Sequence, residues 1–69
     1  EEALHGYNGK GSTTFPIPLA LAGTWDKALI EEVGRVIAKE TRAHGVQMVL
    51  GPVLDLSRDP RWGRIEETY

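Results

Sequence analysis

Residues 26 to 44, DKALIEEVGRVIAKETRAH, run through Gly45 directly into VQMVLGPVLDL, and this succession constrains the fold more than any other feature. In the first stretch Leu29, Ile30, Val33, Val36 and Ile37, with the stem of Glu40, recur at steps of three and four. That spacing gives one apolar stripe on an α-helix. Asp26 is a suitable N-cap, because its carboxylate can accept the unpaired N–H groups of the first turn. Glu31 stands four residues before Arg35, a spacing that supports a helix through an ion pair on its wet face. Gly45 supplies the left-handed residue that ends a helix. The valine-rich run over 46–56 reads as a strand buried on both faces, with a bend at Gly51-Pro52. Helix, glycine, buried strand and then a polar loop predict an α/β fold.

The 69 residues allow at most one small domain, and a chain of this size buries only about 60% of its unfolded surface. There is no cysteine, which excludes a disulfide staple and a thiolate metal site. With 41% hydrophobic residues, 26% charged residues and a net charge of -2, the composition is that of a globular protein and argues against a nucleic-acid surface. No apolar run approaches the roughly 20 residues of a membrane-spanning helix. The chain opens on Glu1-Glu2 without a methionine or an apolar leader, and it stops at Tyr69 just after a highly specified stretch. It reads as an internal piece of a larger protein, whose cellular location and oligomeric state are not legible here.

The N-terminal EEALHGYNGKGSTT is rich in glycine and small polar residues and predicts a flexible loop. In FPIPLALAGTW, Pro18 fits the first turn of a short helix through Leu19 to Ala22, where a missing N–H costs nothing. GYNGKGST resembles a phosphate loop only superficially, since Gly11 follows Lys10 where that motif needs serine or threonine. His5 and His44 are far apart and lack convergent partners for a metal. His44 is expected to face the last carbonyls of the helix; His5 reads as a structural hydrogen-bonding residue. No cofactor is expected.

The final stretch, SRDPRWGRIEETY, places Arg58, Arg61 and Arg64 among Asp59, Glu66 and Glu67. Charge interleaving and a single tryptophan make it a poor track for a polyanion. Asp-Pro favours a turn in which arginines pair with nearby acids. The loop nevertheless follows the C-terminal end of the predicted strand, where α/β sheets and barrels carry their binding residues, and Trp62 suits a sugar ring or a pocket wall. The residues alone leave a salt-bridged turn and a ligand site both open.

Taken together, EEALHG, STTFPIPLALAGTWD and GPVLDLSRDPRWGRIEETY resemble the N-terminal barrel domain of glycoside hydrolase family 3, in the right order and over the whole chain. The likeness is closer to the bacterial and plant β-glucosidase and β-xylosidase branch than to the N-acetylglucosaminidases, which carry a different signature. It implies a segment of a (β/α)8 TIM-type barrel, about a quarter of the ~250 residues such a barrel needs. The implied activity is hydrolysis of O-glycosyl bonds by a retaining, exo-acting β-glycosidase on an oligosaccharide, hence a role in carbohydrate metabolism and polysaccharide degradation. The aspartate nucleophile, a Lys-His pair and the glutamate acid/base would lie beyond Tyr69, so no catalytic residue is assigned here and Asp55 reads as structural. The fragment alone is expected to be inactive. Two positions carry over as ligands of sugar hydroxyls: Glu2, four residues before the glycine of the HG pair, and Arg64 of the WGR string. Many members have aspartate at the first position, so glutamate blurs the choice between glucose and xylose. Glu67 is placed to orient Arg64, and Arg58 and Arg61 read as framework. The alternative is a non-catalytic carbohydrate-binding or structural barrel relative that keeps Glu2 and Arg64.

Overall fold

The computed structural model describes residues 1–69, with helices α1 (Pro18–Ala22) and α2 (Lys27–Ala43) and a 3-10 turn, Ile65–Glu67. In α2 the local rules hold at both ends. The Asp26 carboxylate accepts the Leu29 N–H at 3.0 Å, closing one orphan donor of the first turn. At the other end Gly45 adopts φ 82°. There the Val46 N–H donates to the Thr41 carbonyl at 3.3 Å and the Gly45 N–H to the Arg42 carbonyl at 3.0 Å, the paired bonds of a Schellman stop. Arg35 pairs with Glu31 at 3.3 Å, as expected, and also with Glu32 at 2.6 Å. His44 Nδ1 lies 2.7 Å from the Glu40 carbonyl oxygen, so the ring does face the last turn.

Pro18 opens α1 in its first turn. The helix ends after one turn, and the Thr24 hydroxyl donates back to the Leu21 carbonyl at 2.7 Å. Leu21 and Pro18 are buried, and α1 packs against the 3-10 turn. This contact brings the end of the chain beside the loop that begins it.

The glycine-rich N-terminal stretch, predicted to be a flexible loop, is anchored at several points. The Thr13 N–H and hydroxyl both donate to the Glu40 carboxylate, at 2.8 and 2.7 Å. Tyr7 stacks on His44 with ring centroids 4.4 Å apart. The Phe15 N–H donates to the His5 carbonyl at 2.8 Å. Gly6 is buried at φ 118°, and a Cβ there would meet the Thr13 carbonyl oxygen at 2.3 Å. Only glycine admits that approach.

The predicted strand over 46–56 does not form. The segment pairs through the Leu50 N–H to the Glu1 carbonyl at 3.0 Å and the Gly51 N–H to the Glu2 carbonyl at 3.2 Å. These are successive residues, whereas a ladder uses alternate ones. A single parallel bridge joins Val53 to Thr68. Met48, Leu50, Leu54 and Leu56 are 64 to 82% exposed, the reverse of a doubly buried strand. The physical reason is that a parallel strand is held by extended neighbours on both edges, and residues 1–2 and Thr68 supply only isolated contacts. No sheet forms within these 69 residues, so of the α/β barrel segment expected from sequence only the helices and connecting loops are seen here. The only fully hydrophobic buried side chains are Ala3, Leu21 and Val33, joined by the buried Pro18.

Candidate sugar-binding site

Arg64 precedes the 3-10 turn, whose first bond runs from the Glu67 N–H to the Arg64 carbonyl at 3.1 Å. In 3-10 geometry side chains three residues apart eclipse one another. The guanidinium and the Glu67 carboxylate consequently meet as a two-point fork: Nε bonds Oε2 and Nη2 bonds Oε1, the latter at 2.9 Å. Hydrogen bonding to Arg64 holds the Glu67 carboxyl below its ordinary range, with a further contribution from the charge of His5. The same fork pushes Arg64 upward, and Glu2 and Glu66 add to the effect.

Glu2 comes from the opposite end of the chain. It is carried by the segment whose carbonyls accept from Leu50 and Gly51, with Ala3 buried beside it. Its Oε1 lies 4.0 Å from Nη2 of Arg64, close enough for attraction but beyond hydrogen-bond length. Both side chains are more than half exposed. The two residues predicted as ligands thus stand together. They flank two small concavities with Leu4 and His5 as common wall. One, of about 220 Å³, includes Glu2, Asn8 and Thr14. The other, of about 290 Å³, includes Arg64, Glu66 and Glu67 over Ile17 and Pro18.

Arg61 is differently placed. Its guanidinium closes on Asp59 through three contacts of 2.7 to 3.2 Å, and its own N–H bonds the same carboxylate at 3.0 Å. That local pairing depresses Asp59. It leaves Arg61 paired within its own turn. Arg58 has no such partner and lines an open cleft with Asp55, Leu56, Asp59 and Trp62. The stretch therefore holds two distinct pairings, a closed salt-bridged turn at Asp59–Arg61 and the Arg64–Glu67 fork that faces Glu2.

The largest concavity, about 500 Å³, lies elsewhere, between the apolar face of α2 and residues 49–54. Its walls include Ile30, Ile37, Val49 and Leu54, which offer nothing to a polyol and read as unpacked core surface. Sequence reasoning missed His5 as a wall of the candidate site; its place between Glu2 and Gly6 was the available signal. Three or more histidine or carboxylate side chains do not converge anywhere to hold a metal ion. None of the helices is long and apolar enough to cross a membrane.

The acidic residue before HG and the arginine of WGR now stand side by side, and comparison with known proteins is decisive on kinship. Residues 1–69 match the glycosyl hydrolase family 3 N terminal domain along their entire length. The chain belongs to glycosyl hydrolase family 3. It is similar to the periplasmic beta-glucosidase of Salmonella typhimurium, 41% identical over 68 residues, which covers 99% of this chain and 8% of that protein. It is also similar to beta-xylosidase/alpha-L-arabinofuranosidase 2 of Medicago sativa subsp. varia, 35% identical, with 97% of this chain and 11% of that protein covered. This family 3 segment thus spans about a tenth of the length of such relatives. No solved structure matches it.

Proposed function

We propose that the protein carrying this chain is a retaining, exo-acting β-glycosidase of the β-glucosidase or β-xylosidase type. In this reading residues 1–69 are part of its N-terminal barrel domain, and Glu2 and Arg64 bind the hydroxyls of the terminal sugar. The observation that carries the reading is the 4.0 Å approach of a carboxylate and a guanidinium that do not hydrogen-bond each other. A carboxylate only accepts and a guanidinium only donates. Neighbouring hydroxyls on a sugar ring do both, so one ring can bridge the pair with charge-assisted bonds. The supporting kinship is the family match and the β-glucosidase and β-xylosidase names of the relatives.

The bond-breaking carboxylates belong to other parts of the protein in this reading. Retention needs two carboxyl groups about 5 Å apart, one forming the glycosyl-enzyme and the other passing from acid to base. The segment described here holds the ring while it distorts. The test is hydrolysis of aryl β-glucosides and β-xylosides by the full-length protein, with the anomer released first read by proton NMR. Release of the β-anomer is expected. Initial release of the α-anomer, or binding of sugar without any turnover, would overturn the proposal.

A further inference from the structure

Three carboxylates act on Arg64: Glu67 through a closed fork, Glu2 at 4.0 Å and Glu66 through its charge. They are not equivalent. The Glu67 side chain is only 14% exposed, against 59% for Glu2. Its backbone is fixed to Arg64 by the 3-10 turn. A guanidinium has five N–H donors; the fork takes one from Nε and one from Nη2. Both N–H groups of Nη1 and the second of Nη2 are left pointing away from Glu67.

Without the fork, the same guanidinium would have Glu2 as its near carboxylate. A closed Arg64–Glu2 pair would satisfy both side chains with each other and leave neither for a ligand. We propose that Glu67 is a positioning residue: by holding the Nε–Nη2 edge of Arg64 it keeps Arg64 from closing on Glu2, so that one stays a donor and the other an acceptor toward a sugar diol. This rests on the reading of Glu2 and Arg64 as sugar ligands. Glu67 does not touch the sugar. It acts through the direction in which Arg64 presents its remaining donors.

The experiment is a double-mutant cycle in the full-length enzyme, with kcat and KM measured on an aryl β-glucoside and thermal unfolding followed in parallel. Misdirecting a substrate-holding group can lower kcat/KM by about ten- to a hundredfold, and that range is expected for Glu67→Gln at little change in Tm. Glu67→Asp keeps the charge but shortens the fork, and should fall between Glu67→Gln and the parent. In an Arg64→Ala background, Glu67→Gln should change kcat/KM by less than about twofold, because its effect passes through the missing arginine. If Arg64→Ala is costly while Glu67→Gln is silent, the positioning role fails and the ligand reading stands. If Arg64→Ala is silent, the ligand reading fails and this proposal with it. Equal losses from Glu67→Gln in both backgrounds, or loss of folded protein with both Gln and Asp, would assign Glu67 a purely structural role and overturn the proposal.

Discussion

Thr13 and Glu40 are joined by two hydrogen bonds, from the Thr13 N–H and from its hydroxyl, one to each oxygen of the same carboxylate. This clamp ties the glycine-rich loop to the last turns of α2, beside the stack of Tyr7 on His44. Accepting on both oxygens at once favours the ionised acid, and it lowers the Glu40 carboxyl below its ordinary 4.5, with His44 adding a smaller contribution of the same sign.

A pH dependence follows from that shift. A carboxyl whose folded value is depressed adds stability that is complete above its unfolded value and is lost as pH falls through the folded one. Hydrogen exchange over residues 7–15 of the full-length protein, taken relative to its intrinsic rate at each pH, should therefore be slow at neutral pH and accelerate toward that rate as pH falls below 4.5. Glu40→Gln should remove the extra acceleration and leave the loop loosened at every pH. A variant with unchanged protection would show that other contacts hold the loop.

The arginines of the last stretch should separate in function. Arg64→Ala removes donors that a sugar hydroxyl would use most as the ring distorts, and kcat/KM is expected to fall by about a hundredfold. Arg64→Lys should recover little, because a point charge reproduces neither the fork to Glu67 nor the direction of the free donors. Arg61 is paired with Asp59 in an exposed turn, so Arg61→Ala should change kcat/KM by less than about threefold and Tm by about 2 °C at most. Steady-state kinetics and melting curves on the three variants check this. Crippled turnover in Arg61→Ala beside a parent-like Arg64→Ala would mean that the wrong arginine has been chosen.

Gly6 should be intolerant of the smallest side chain. Its φ of 118° is outside the range an L-residue favours, and a Cβ would lie 2.3 Å from a backbone oxygen that cannot swing aside. Gly6→Ala is expected to destabilise by at least about 2 kcal/mol. Because Glu2 lies on the same segment, the substitution should also raise KM. Gly11 has φ 84° but open space around it; Gly11→Ala should cost only its backbone strain, about 1 kcal/mol. Thermal unfolding of the two variants, with KM for each, compares them directly.

How much of this was legible in the sequence depends on how far apart the causes sit. The second helix was, because Asp26, the stripe from Leu29 to Ile37 and Gly45 each act within one or two turns of where they stand. Residues 46–56 were misread for the opposite reason: a valine-rich run says only that the segment would suit a sheet, and a sheet is made by partners. The clamp of Thr13 on Glu40 and the stack of Tyr7 on His44 have no local signal, since each joins residues separated by the whole of α1 and most or all of α2. The meeting of Glu2 with Arg64 was expected only through family resemblance; spacing alone left a salt-bridged turn as good an answer. Arg61 supplies that turn.

The same imbalance between local and distant causes predicts how the 69-residue chain behaves by itself. Its buried hydrophobic residues are few, whereas Trp25 is 93% exposed and Leu54 82% exposed. The apolar face of α2 opens on an unfilled groove of about 500 Å³. Conformational entropy costs roughly 1 to 2 kcal/mol for each ordered residue, and a core this thin offers little against it. The extended run after Val46 also leaves unpaired backbone donors and acceptors flanked by apolar side chains, the template for edge-to-edge association. Expressed alone, the chain should bind a hydrophobic dye, lose its helical circular dichroism gradually on heating, and sediment as a mixture of sizes. Within the full-length protein the same residues should unfold together with the surrounding domain, if that domain fills the groove. A sharp, reversible melt of the isolated chain at the mass of a monomer would show that Leu21, Val33 and the Thr13–Glu40 clamp suffice, and that the exposed leucines are ordinary surface.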